Sequence, residues 1–240
     1  MTDTTTPAPP AEGLLARAMG MFTTPRKTFE GVVRTPRVAG ILFVGVVLTA
    51  LATGLPQFTD RGRQALLDMQ VQSIERSTKQ PVADDVYARM ETFSKYSAPL
   101  TIVSVFILTP IVALIFGGLY WAVFNALLGG TASFKQVLAI VTHSMIIGAV
   151  GVAIGAPIMY AQGTYSQTGP FNLGALLPML DENSFLAHFL GFINPFQVWG
   201  IIVTAIGLGV LYRRKSGGIA IALMIVYAVI AGGFAMWLSR

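Results

Sequence analysis

Long apolar runs separated by polar segments set the pattern of this chain. The runs are read at residues 38–55, 99–128, 137–161, 194–212 and 219–238. A helix needs roughly 20 apolar residues to cross a hydrocarbon core of about 30 Å. The pattern therefore predicts an all-α polytopic bundle of five membrane-spanning helices. The run at 99–128 is overlong, because its 30 residues make a helix of about 45 Å at a rise of 1.5 Å per residue. Pro110 is expected to kink it, and tilt or an interfacial extension takes up the excess.

The polar segments have periodicities of their own. Residues 1–12, MTDTTTPAPPAE, carry nothing to bury and are read as a disordered tail. From Leu14 to Phe22 apolar residues recur at helical spacing, which predicts a short amphipathic helix on the membrane surface. Thr24-Pro25 starts a second short helix, with Thr as N-cap and Pro at the first helical position, and Pro36 cuts it off after about Arg34. Between residues 57 and 97 two further amphipathic helices are predicted. One carries Leu66, Leu67, Val71 and Ile74; the other follows Pro81 with Asp84 or Asp85 as cap. This pair reads as a helical hairpin folded over the bilayer surface, with a partner-binding module as the alternative.

Capping signals mark two of the spans. Ser133 with Gln136 precedes the third, and Asn194-Pro195 with Gln197 opens the fourth. Gly151 and Gly155 form a small-xxx-small pair that lets another helix approach closely. Residues 162–193 read as a loop. Ala50-Leu51-Ala52 resembles a signal-peptidase site, but it lies far deeper than the 15–30 residues of an ordinary signal peptide, so no cleavage is expected there.

Composition agrees with a membrane protein: 54% of residues are apolar and only 11% charged, where a soluble domain is about a quarter charged. With no cysteine in the chain, disulfides, thiolate metal sites and a Cys nucleophile are excluded. The net charge of +5 is assigned to orientation and anionic headgroups rather than nucleic acid. Arg213, Arg214 and Lys215 form a basic turn, whereas no Lys or Arg lies between Gln162 and Ile193. That contrast predicts a cytoplasmic N-terminus and an outer C-terminus. In the stretch TPRKTFEGVVRTPR, Arg26, Lys27, Arg34 and Arg37 are expected to meet headgroups while Phe29, Val32 and Val33 dip into the interface.

Candidate chemistry is sparse. The predicted spans hold no Asp, Glu, Lys or Arg, which counts against a coupled pump. His143 is the ionisable residue at depth, about 12 Å along the helix from Lys135. It reads either as a proton- or headgroup-sensing group or as a neutral imidazole bonded to a neighbouring helix. Asn125 lies near the same leaflet, and the two are expected to form an intramembrane polar pair acting as interhelical glue or, less simply, as a site. Tyr120 and Trp121 read as interfacial belt residues. Asp181, Glu182 and His188 share no helical face on which to hold a metal, and neither a cofactor nor a metal is expected.

Three motifs in order carry a family resemblance: the F-x-x-P-R-K-x-F entry at Phe22 to Phe29, GGTASFKQVLAI at 129–140 with His143-Ser144 behind it, and NPFQVWGIIVTAIGLGVLYRRKSGGIAI from Asn194. In these the chain resembles the Yip1 domain family. The resemblance implies five membrane helices with a cytoplasmic N-terminus. Eukaryotic members act in traffic between endoplasmic reticulum and Golgi and contact prenylated GTPases. Their Asp-Leu-Tyr-Gly-Pro type motif is missing here, and the chain looks more like the bacterial members, implying a bacterial cytoplasmic membrane. The function expected is a non-catalytic scaffold that organises membrane or partner proteins. Its expected partners are lipids, other membrane or peripheral proteins and a second copy of itself. The alternative is a small permease or lipid-translocating protein with a polar groove near Asn125 and His143.

Overall fold

The computed structural model describes residues 13–166, 169–177, 179–181 and 184–239. The expected disordered tail at 1–12 lies outside them. The described residues form ten α-helices and no strand. Two short helices, α1 (Leu14–Thr23) and α2 (Pro25–Arg34), precede the first span, α3 (Ala39–Gly54), which continues through a 3₁₀ turn to Phe58. Residues 50–52 lie inside α3, and Ala50 is buried. The amphipathic pair is α4 (Asp60–Thr78) and α5 (Asp84–Ser94), as the periodicity predicts. Ala83, not an aspartate, takes the N-cap position of α5, and Asp84 and Asp85 stand in its first turn, where their charge suits the helix dipole.

The second span, α6 (Ser97–Trp121), runs on as π-helix from Ala122 to Leu127, with Pro110 inside it. At 31 residues it is as overlong as the apolar run implies. The third span, α7 (Phe134–Gln162), opens on the predicted capping box: Ser133 Oγ accepts from Gln136 N while Gln136 Oε1 accepts from Ser133 N. The fourth, α9 (Pro195–Tyr212), has Asn194 as its cap, accepting from Phe196 N at 2.9 Å. The fifth is α10 (Ser216–Leu238).

The region read as a loop contains one more helix, α8 (Phe185–Phe192), capped by Ser184 and lying against α10. Tyr227 donates to Phe192 O at 2.6 Å. Eight residues, apolar on most faces, offer no amphipathic period by which to recognise such a helix.

α7 is the centre of the bundle, touching α3, α6, α9 and both N-terminal helices, while α6 and α10 stand at the periphery with most of their side chains outward. Small residues explain that position. Ala139, Thr142, Ser144, Gly151 and Gly155 of α7 are all buried and let neighbours come close. The two glycines of the predicted pair receive different partners. A Cβ on Gly151 would lie 2.7 Å from the Phe196 ring of α9, and one on Gly155 would lie 3.0 Å from Pro170 of the following loop.

Candidate functional site

Five spans put α1, α2, the 128–133 turn and the 213–215 turn at one end of the bundle. α4, α5, α8 and the end of α10 are at the other. Hydrogen bonds tie each end together. At the first, Gln136 Nε2 donates to Val33 O at 3.1 Å and Arg214 Nη2 to Leu128 O at 3.1 Å. The rings of Phe124 and Tyr212 stack across the same two turns at 4.8 Å. At the second, Arg61 Nη2 donates to Ala161 O at 2.7 Å and stands over the Tyr160 ring.

The N-terminal pair departs from the surface-anchor expectation. Phe29 is wholly buried, as are Met21 and Val32. The Phe29 ring occupies a hollow over Gly207 of α9, where a Cβ would lie 3.0 Å from Phe29 Cζ and 2.5 Å from Ile140 Cγ2. The apolar face of α2 is therefore closed by α7 and α9, not by lipid. What does face outward is charge: Arg26, Lys27, Arg34 and Arg37 are all exposed. On α1, Leu15 and Met19 remain exposed, on the side away from the bundle.

The polar groups at depth do not pair as expected. His143 is sealed from solvent on α7. Its Nδ1 lies 2.7 Å from Ala139 O, and its Nε2 lies 3.4 Å from Arg17 Nη1 of α1. A guanidinium only donates, so Nε2 must present its lone pair and Nδ1 must carry the proton toward the carbonyl. This is a neutral imidazole bonded within its own helix and to a neighbouring one. Asn125 instead donates from Nδ2 to Ala132 O at 2.7 Å, and Trp121 Nε1 reaches the same carbonyl at 3.0 Å. Both side chains thus close the 128–133 turn. The π-helical stretch sets the helix rotation here, aiming Asn125 at the turn. Sequence reasoning missed Arg17 as the partner of His143; its position on the polar side of a short amphipathic helix gave no sign of an inward reach.

The basic turn is partly structural. Arg213 ends α9 in the left-handed region at φ 53°, and Arg214 spends one donor on Leu128 O. Gly209 makes the reversal possible, since a Cβ there would stand 2.3 Å from Ser216 Oγ. Arg213, Arg214 and Lys215 are all exposed nonetheless. With the basic residues of α2 and Lys135 they give this end of the bundle a cationic excess, and Glu30 is the one acid there among the described residues. The opposite end mixes signs, and Arg63 pairs with Asp60 and Arg89 with Asp85.

At that mixed end, buried polar groups seal the junction of α3, α6 and the loop after α7. Gln57, 1% exposed, donates to Thr53 O at 2.9 Å and accepts from Thr101 Oγ1 at 3.1 Å. Burial raises the Tyr165 phenol above its ordinary pKa of 10, with a Gln57 hydrogen bond opposing it, so it stays protonated at neutral pH. Among the described residues no three His, Asp or Glu side chains gather around a possible metal ion. Glu182 lies outside the described residues.

A profile of the Yip1 domain matches residues 19–238, nearly the whole chain. This chain belongs to the Yip1 domain family. No curated protein and no solved structure matches significantly. It is thus an integral membrane protein of Yip1 type, and the match begins within α1. Residues 19–23 of α1 and the whole of α2 fall within the match, and Met21 and Phe29 among them are core residues.

Proposed function

We propose that this Yip1-type protein is a non-catalytic membrane organiser that works through its cationic end. The observation carrying this reading is the rigid seating of α2. Phe29 and Val32 fix the helix in the bundle, so Arg26, Lys27, Arg34 and Arg37 form a held surface, not a floating anchor. Each basic residue near an anionic leaflet contributes about 1 kcal/mol of attraction. A cluster of that size suits headgroups of a bacterial cytoplasmic leaflet or an acidic segment of a peripheral protein. In this reading the N-terminus is cytoplasmic and the C-terminus outside, following the basic short segments. The outward faces of α6 and α10 meet lipid or a second copy of the chain.

Reconstituted vesicles test the role. Protein in neutral liposomes, with the cationic end outward, is expected to dock phosphatidylglycerol vesicles, followed by light scattering. Arg26→Gln, Lys27→Gln, Arg34→Gln and Arg37→Gln combined should reduce docking at least tenfold, as should high salt, because exposed charges are screened. Docking that ignores both would remove this reading. Orientation has its own measurement, made simple by the lack of native cysteine. Leu176→Cys should react with an impermeant maleimide in intact cells, and Gly217→Cys only after the cells are opened. The reverse pattern would invert the topology.

A further inference from the structure

A wide cleft lies on the mixed end, away from both the cationic surface and His143. It is a groove of about 770 Å³ between the α4–α5 pair and the outward side of α6, within the roughly 300–1,000 Å³ range of small-molecule sites. Its two walls differ. The α4–α5 wall sets Arg89 and Gln70 beside apolar Met90 and Phe93; on the α6 wall Leu100, Val105 and Leu108 alternate with the hydroxyls of Thr101, Ser104 and Thr109. Arg89 is the one charged residue in the lining, and no acid lines it.

From Ser97 to Thr109 the groove follows α6 over 13 residues, a rise of about 18 Å at 1.5 Å per residue. That is close to one leaflet, half of a hydrocarbon core of about 30 Å. Arg89 now pairs with Asp85 four residues earlier, but both side chains are well exposed. Such a pair contributes little, so a phosphate can take the guanidinium's free donors at small cost.

We propose that this groove holds one glycerophospholipid of the leaflet on the α4–α5 side. The phosphate sits at Arg89, and an acyl chain lies along Leu100, Ser104 and Leu108. Three features fit this occupant together: a single positive charge at the membrane surface, an apolar floor, and a length of one leaflet. A second copy of the chain fits less well, because an apolar helix face would leave the Arg89 cation and the hydroxyl row unanswered. The proposal is independent of the role assigned to the cationic end, which lies on the opposite side of the membrane.

Native mass spectrometry of the full chain, released from micelles carrying phosphatidylglycerol or diacylglycerol of the same acyl chains, tests it. One phosphatidylglycerol per chain should survive dilution, with diacylglycerol retained at least fivefold less. Arg89→Gln should lower phosphatidylglycerol occupancy about fivefold and leave diacylglycerol unchanged. Ser104→Trp should fill the groove and abolish both, while Ile115→Trp on α6, outside the lining, should leave both as in the unaltered chain. If Ser104→Trp does not fold, Leu108→Phe serves in its place, since Leu108 is exposed and belongs to no core. Equal retention of the two lipids, or retention unchanged by the groove substitutions, overturns the proposal in favour of ordinary boundary lipid. A photo-crosslinker at Leu108 that captures a second copy of the chain instead of lipid overturns it as well.

Discussion

Phe29→Ala is expected to destabilise the folded protein by about 3–5 kcal/mol, the range for emptying an aromatic core position. Its ring is wholly buried and fills the hollow that Gly207 leaves between α9 and Ile140 of α7. Alanine would leave that hollow open, and no neighbour on α9 can close it because Gly207 has no side chain to move. The residue lies on a short helix of only ten residues, which has little helical stability of its own. Loss of the anchor should therefore free α2 as a unit. Thermal unfolding in detergent should show a large drop in midpoint, and trypsin should cut at Arg26 and Lys27 much faster. Phe43→Ala is the control: Phe43 is 62% exposed on α3 and should change little. A Phe29→Ala protein as stable as that control would return α2 to the role of a lipid-facing anchor.

That contrast shows what the sequence carries and what it does not. The period of Phe29, Val32 and Val33 identifies an apolar face, but a face covered by lipid and one covered by protein have the same period. What decides between them is the complementary surface, here a gap at Gly207 some 178 residues away in the chain. The five spans were legible because bilayer thickness fixes the length of an apolar run, whatever the tertiary contacts. The starts of α7 and α9 were legible because Ser133 and Asn194 cap by local hydrogen bonds. Asn125 and His143 lie toward the same end of the bundle, yet which way each points depends on helix rotation. The π-helical stretch after Trp121 turns Asn125 to Ala132 O, and no residue type in AVFNAL announces that. The groove on α6 was equally hidden: Thr101, Ser104 and Thr109 share one helix face by their spacing, but nothing local shows that residues of α4 and α5 line the same cleft.

A second substitution has a sign opposite to the ordinary rule. Within a helix Gly→Ala normally stabilises by roughly 0.5–1 kcal/mol, since alanine has less backbone freedom to lose. Gly31→Ala on α2 should follow that rule, because nothing lies within 4 Å of a Cβ built there. Gly62→Ala should instead cost about 3 kcal/mol, at the upper end of the range for overpacking. In the first turn of α4, a Cβ on Gly62 would lie 2.0 Å from Pro56 O and 2.5 Å from Pro56 C. These are backbone atoms and cannot swing aside. Thr59 Oγ1 donates to the same Pro56 oxygen at 2.7 Å, and the next residue, Gln57, is held by Thr53 and Thr101. Moving the turn would break that buried set, so the strain must fall on the docking of α4. Thermal unfolding of the two alanine variants should therefore shift in opposite directions, with faster amide exchange across α4 in Gly62→Ala alone. Because α4 and α5 roof the groove on α6, the same variant should also lose its retained phospholipid. If Gly62→Ala proves as stable as Gly31→Ala, the contact between α4 and the end of the first span is not the hinge on which that roof rests.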